Sequence, residues 1–293
     1  MSIGNLIIKR RKQLGLTQRE LAKNICTQST ISKIEKGNLV PNSQLLKEFA
    51  NRLEVSISYF YSEEYFTDND KKTDELIKDI RSAINKTENE SAMKIIRENE
   101  NFIDSLTNNN HVHFFKMTKA YLDYYLFNKK DNAIKDLKSL LDGGQLNDNL
   151  NVEILCLLGI IYYENKHYVE ASKNFEQALE LSTEETPFEI KIRILYNHAL
   201  NLESLSQDRK ALEYTIEGIE LLIENQSMYN LGYFYSFKGY LLNKFNDLDE
   251  AIKAYETATV LFSVLDYTKM YNFTRLNLLE LTQKKEKKNE KKD

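Results

Sequence analysis

Apolar residues recur three and four apart along most of the chain, the signature of helices that bury one face. Ile3, Ile7 and Leu14 make one inward stripe, Leu21 and Ala22 a second, Ile31 and Ile34 a third, and Leu45, Leu46, Phe49, Ala50 and Leu53 a fourth. Local punctuation separates them. Thr17, followed three residues later by Glu20, is a capping box that starts a helix near Gln18. After the turn Ile25-Cys26-Thr27, Thr27 caps a second helix from Gln28, and Gly37 stops it. Ser56 is placed to cap a short last helix through Phe60. Two short helices joined by a tight turn are a helix-turn-helix, here inside a five-helix unit spanning residues 1–62.

On the second helix of that motif, Ile31 and Ile34 share one face, while Ser29, Ser32, Lys33 and Lys36 fall on the other. Short polar and basic side chains of this kind can enter a major groove. The expected base-reading set is Gln28, Ser29, Ser32 and Lys33, with Gln18, Arg19 and Lys36 toward phosphates. A plain amphipathic helix pair would show a similar outward face. Arg11 on the inward stripe of the first helix and Glu35 on the core side of the recognition helix count against that blander reading, because two inward opposite charges should pair as a structural bridge.

From about residue 75 the pattern repeats. Ala171, Ala211 and Ala251 are forty residues apart, and Gly159, Ala199 and Gly239 precede them by twelve at the same interval. Leu158-Gly159-x-x-Tyr162 with Ala171, Phe175 and Ala178, echoed by Gly239-x-x-Leu242 with Ala251, Tyr255 and Ala258, resembles the tetratricopeptide (TPR) pattern. In such hairpins small residues let the two helices approach, and aromatics are expected to fill the space between successive hairpins. Weaker copies around Tyr121, Tyr124 and Ala133, and around Ala83, Ala92 and Ile96, bring the expected number to five. Tyr267 to Gln283 would cover the open end. Residues 63–74 read as a linker, 75–283 as the repeat domain and 284–293 as a solvated charged tail.

Nine glycines and two prolines in 293 residues leave few breakers, which fits an all-α chain. Charge is divided: residues 1–62 hold ten Lys/Arg and four Glu, a net +6, leaving −10 on the remainder. The basic end suits nucleic acid and the acidic remainder does not. Cys26 and Cys156 have neither a C-x-x-C nor a zinc-ligand spacing, so a reducing cytoplasm and buried inert thiols are expected. The longest apolar run, Ile154 to Tyr163, is too short to span a bilayer, and no membrane role is indicated. No nucleophile elbow, zinc-protease motif or phosphate loop is present, so neither enzymatic activity nor a cofactor or metal is expected. His111 and His113 are expected in an inter-repeat turn, His167 in a hairpin turn, and His198 in packing.

Arg11, Leu16-Thr17-Gln18-x-Glu20-Leu21-Ala22, Ile31-Ser32-x-Ile34-Glu35-x-Gly37, Pro41 and Leu53-x-Val55 resemble the phage-repressor (XRE) type of DNA-binding domain. Cys26 stands where that family commonly has a turn glycine, in a turn one residue shorter. With Asn24-Ile25-Cys26-x-Gln28-Ser29, this form is similar to the PlcR-like regulators of the Gram-positive RNPP family. The resemblance implies a right-handed superhelix of TPR-like hairpins that binds a short imported signalling peptide on its concave face. It also implies a homodimer on a pseudo-palindromic DNA operator, acting in quorum sensing. By the same resemblance the asparagine of Tyr196-Asn197-His198-Ala199 is the first peptide contact, and Cys156 occupies the position of a second family asparagine. Arg193, Tyr196, Tyr240 and Asn243 are further candidate liners, with Tyr271 from the last helix and Lys86 toward a peptide carboxylate. The alternative is a TPR interaction protein that sequesters a protein partner, with DNA binding secondary.

Overall fold

The computed structural model describes residues 3–55, 57–61, 68–143 and 148–290. Within them every regular element is a helix, and the contacts divide the chain into two compact units, Met1–Ile95 and Ile96–Asp293. The proposed cap Ser56 and the first part of the 63–74 linker lie outside the described residues.

The first unit opens with α1 (Ile3–Gln13), α2 (Gln18–Ala22), α3 (Gln28–Glu35) and α4 (Ser43–Arg52), followed by a 3-10 turn over Ile57–Tyr61. Side chains set the helix starts. Thr17 accepts from the Glu20 amide at 3.2 Å while Glu20 accepts from the Thr17 amide at 2.7 Å, which closes the capping box. Thr27 and Asn42 cap α3 and α4 by accepting from the amides of Thr30 and Leu45. Gly37, at φ 75°, supplies the left-handed turn that ends α3, a conformation open to glycine at little cost. The core joins Leu6, Ile7, Leu21, Ile31, Ile34, Leu46, Phe49 and Leu53.

Gly4 has a role that periodicity does not reveal. A Cβ there would strike the Ile34 carbonyl oxygen, so the absence of a side chain lets α1 cross closely over the end of α3. Two arginines finish the unit. Arg10 donates to the Leu53 carbonyl at 3.0 Å, and Arg52 donates to the Glu20 and Lys23 carbonyls at 2.9 and 3.1 Å at the end of α2.

Helix α5 spans Asp68–Asn85 and α6 Asn89–Glu98. The stretch 68–74, read from sequence as linker, is therefore the first two turns of α5. Lys71 and Lys72 are good helix formers. By its contacts α5 groups with the N-terminal unit, whereas the sequence pattern had begun the repeats at residue 75.

The second unit begins with α7 (Glu100–Asp104) and continues as antiparallel pairs: α8 (Asn109–Phe127) with α9 (Lys130–Asp142), α10 (Asp148–Glu164) with α11 (Tyr168–Leu181), α12 (Phe188–Ser204) with α13 (Asp208–Glu224), and α14 (Leu231–Lys244) with α15 (Leu248–Val264). Each pair buries its alanine, Ala133, Ala171, Ala211 or Ala251, completely. The turns inside three hairpins place Lys166, Ser206 and Asn246 in the left-handed region, again forty residues apart. Aromatic packing goes beyond the expectation in one respect. Phe175 and Tyr255 do reach the next element, in clusters with Ile190 and Ile194 of α12 and with Leu281 of the last helix, but they also close their own hairpin. They lie on the small residue of their own hairpin, where a Cβ on Gly159 would come 2.6 Å from the Phe175 ring and one on Gly239 would come 2.7 Å from the Tyr255 ring. Phe234 sits between hairpins, against Gly218.

Helix α16 runs from Thr268 to Glu290 and packs on α15. It therefore continues through most of the lysine-rich run that had been read as a solvated tail. Lysine favours helix and its charge suits a helix C-terminus. Lys284 reaches the Asn243 side-chain oxygen at 3.0 Å and Lys285 pairs with Asp249 at 2.5 Å, which ties the end of α16 to α14 and α15.

Candidate functional site

The recognition face of α3 rests on a polar chain running back into the first unit. Ile31, Ile34 and Glu35 are buried, while Gln28, Ser29, Lys33 and Lys36 are exposed and Ser32 is half-buried. Gln28 Nε2 donates to Gln18 Oε1 at 2.9 Å, and Gln18 Nε2 donates to Glu35 Oε2 at 2.7 Å. Arg11 grips the same carboxylate with both arms, Nε to Oε1 at 2.6 Å and a terminal nitrogen to Oε2 at 3.0 Å. Its other terminal nitrogen donates to the Leu16 carbonyl at 2.8 Å. The inward arginine and glutamate thus meet, and a buried bidentate pair fixes α1 against α3 and orients two glutamines.

Gln18 takes part in this chain as a support for Gln28, beyond the phosphate contact expected of it. Arg11, Thr17, Gln18, Arg19 and Gln28 line an open notch of about 600 Å³. An exposed glutamine amide can donate to and accept from one adenine edge, and Lys33 can reach guanine or phosphate. Cys26, in the turn, is half-buried, and partial burial raises its thiol pKa, so it is not a thiolate at neutral pH.

In the second unit Asn197 is half-buried on α12, and its amide nitrogen donates to the Arg193 carbonyl one turn earlier at 2.8 Å. Its Oδ1 stays available as an acceptor. Arg193, also half-buried, is close enough to Cys156 to act on it electrostatically. Cys156 does not line a groove. It is 2% exposed within the cluster of Val152, Leu155, Ala171, Phe175 and Ile194, and burial pushes its thiol up to about 12, because a small apolar side chain at that position faces the hairpin core.

Tyr196 is mostly a packing residue: its ring lies 5.1 Å from Phe234 and 6.3 Å from Phe237, and burial pushes its hydroxyl up to about 12. Tyr240 is 40% exposed, stacks on Phe237 and donates to Glu203 Oε1 at 2.7 Å. Lys244 bridges that glutamate and Asp208, at 2.9 and 2.6 Å. Asn243 is engaged by Lys284. Tyr271 is half-buried on α16. Lys86, just past the end of α5, belongs to the first unit and Asn197 to the second.

The histidines divide between surface and core. His111 and His113 lie in the first turns of α8, which Asn108 caps, and not in a turn between repeats; the Asn108 side chain satisfies the amides that a turn would have left open. His167 does sit in the hairpin turn before α11. His198 is buried between Phe175 and Tyr214, 5.7 and 4.8 Å away, and burial lowers its pKa to about 4. Among the described residues no group of three His, Cys, Asp or Glu side chains could hold a metal ion, and no helix is long and apolar enough to cross a membrane.

A helix-turn-helix family model matches residues 7–60, and a model described as the RNPP family C-terminal domain matches residues 84–280. The structure is similar to that of Bacillus thuringiensis PlcR in complex with the peptide PapR7 and DNA, with 25% identity, TM-score 0.67 and coverage of 94% of this chain and 98% of that one. The fold is also that of ComR from S. thermophilus, solved with DNA and its signalling peptide ComS, at 17% identity, TM-score 0.55 and coverage of 96% and 100%. A shorter likeness links 95 residues at 36% identity to the Photosystem I assembly protein Ycf3 of Acaryochloris marina, over 31% of this chain; the chain spans about half the length of that curated relative. With its helix-turn-helix and the family's own C-terminal domain together matched over most of its length, the chain belongs to the RNPP family.

Proposed function

We propose that this chain is a transcriptional regulator of the quorum-sensing kind, which binds operator DNA through α3 and answers to a short imported peptide held on the repeat helices around Asn197. It acts in the cytoplasm as a homodimer, placing two recognition helices on the halves of a pseudo-palindrome. The observation that carries the reading is the chain from Gln28 through Gln18 to Glu35 and Arg11, which holds an exposed base-reading side chain from behind. The PlcR and ComR complexes with peptide and DNA support it. Base contacts are assigned to Gln28, Ser29, Ser32 and Lys33, phosphate contacts to Arg19 and Lys36, and peptide-backbone contact to Asn197. Peptide control requires unequal affinity for two arrangements of the dimer, since equal affinity shifts nothing.

The test is fluorescence anisotropy on a duplex from upstream of the chain's own gene, at one fixed salt concentration because phosphate contacts dominate apparent affinity. Gln28→Ala and Lys33→Ala should each cost about 1–3 kcal/mol of specific binding. Unchanged binding in both variants rules the assignment out and turns the search toward a protein partner.

A further inference from the structure

Arg10, Arg11, Arg52, Arg81 and Arg193 are the half-buried arginines among the described residues. The first three hold carbonyls or Glu35, and Arg81 is likewise engaged. Arg193 is the exception. Its carbonyl accepts from Asn197, but no side chain or carbonyl among the described residues pairs with its guanidinium. A partly desolvated cation with five donors and no acceptor is costly to maintain. Cys156, the nearby group whose titration it influences, is a buried thiol that stays protonated, and Glu153, the carboxylate that acts on the same thiol, forms no ion pair or hydrogen bond with Arg193.

One turn along the same helix, about 6 Å away, Asn197 keeps its Oδ1 open as an acceptor. The two side chains therefore present complementary chemistry to one ligand: an acceptor for a backbone N–H and a planar fork for a carboxylate. We infer that Arg193 is a specificity residue of the peptide site, selecting peptides that place a carboxylate beside the backbone amide held by Asn197. The inference rests on the peptide reading proposed above. The carboxylate can come from an acidic side chain or from the peptide C-terminus.

The experiment titrates the full chain with four fluorescein-labelled heptapeptide pools randomised over residues other than Asp and Glu, with or without one fixed glutamate and ending in either a free acid or an amide. Pools carrying the selected carboxylate should bind wild type about tenfold more tightly than their neutral counterparts. Arg193→Gln should erase that ratio while leaving neutral-pool binding in place, and Arg193→Lys should retain part of it. Whether the fixed glutamate or the free terminus carries the preference identifies the source. A preference that survives in Arg193→Gln, with binding still lost in Asn197→Ala, leaves the groove standing and overturns the Arg193 assignment alone. No binding of any pool to wild type overturns both.

Discussion

The two units hold their helices together by opposite means. In the first, a buried ion pair and a run of side-chain hydrogen bonds join α1, α2 and α3. In the second, helix pairs lock by shape, with a ring from one helix seated where its neighbour has no side chain. A small unit that must aim a few polar groups benefits from directional bonds. A repeating array needs a joint that can be copied. The contrast teaches that the same all-helical composition can build a directional device and a modular one.

The contrast predicts effects of decreasing size. Glu35→Ala strands Arg11 and should remove about 3–5 kcal/mol from the first unit, read as loss of amide exchange protection in α1 and α3 of the full chain. The joint replacement Arg11→Met with Glu35→Leu should restore much of that stability while weakening DNA binding, because Gln18 loses its anchor. If the double variant binds DNA normally, the directional role assigned to this unit is wrong.

Next comes pH. His198 faces Glu176 of α11 and Lys210, Glu213 and Glu217 of α13. Its folded pKa, about 4, lies below the ordinary 6.5. Between those values the unfolded chain binds a proton that the folded chain refuses, so this contribution is complete above 6.5 and is lost as pH falls toward 4, by up to about 3 kcal/mol. Urea midpoints of wild type and His198→Gln should converge across that window, and parallel curves would remove His198 from the account.

Gly159→Ala should cost about 1–3 kcal/mol through the Phe175 ring. The middle hairpin carries Ala199 and Thr215 at the corresponding positions, so adding Phe175→Thr to Gly159→Ala should recover part of the loss. A double-mutant cycle with no coupling energy would count against the socket. The smallest effect is Thr17→Ala, about 1 kcal/mol from the lost cap, visible as a lower melting point with the repeats unaffected.

Much of this architecture is legible in the sequence because its determinants are local. The caps at Thr17 and Thr27 act within three residues, and the forty-residue period repeats the same packing unit. What was not legible depends on distance. Gly4 matters because of a carbonyl thirty residues away, and Arg10 and Arg52 because of carbonyls forty-three and thirty-two away. For Cys156 the residue type, which favours burial, was the better guide than the groove position implied by resemblance, since nothing polar draws the thiol out. The lysine-rich end of α16 looked solvated because its partners Asn243 and Asp249 come from earlier repeats. Asn197 is proposed from a local motif, whereas the unpaired state of Arg193 is a property of its surroundings and has no local signal.

The hydrogen bond between Gln28 and Gln18 has a consequence in conformational entropy. A buried or bound glutamine gives up about 1.5–2 kcal/mol of rotamer freedom. Here much of that loss falls on the folding of the first unit, where the Arg11–Glu35 core offsets it, so the base contact proposed for Gln28 would have little left to lose. The right base pair and a wrong one then differ by nearly the whole of the contact they make.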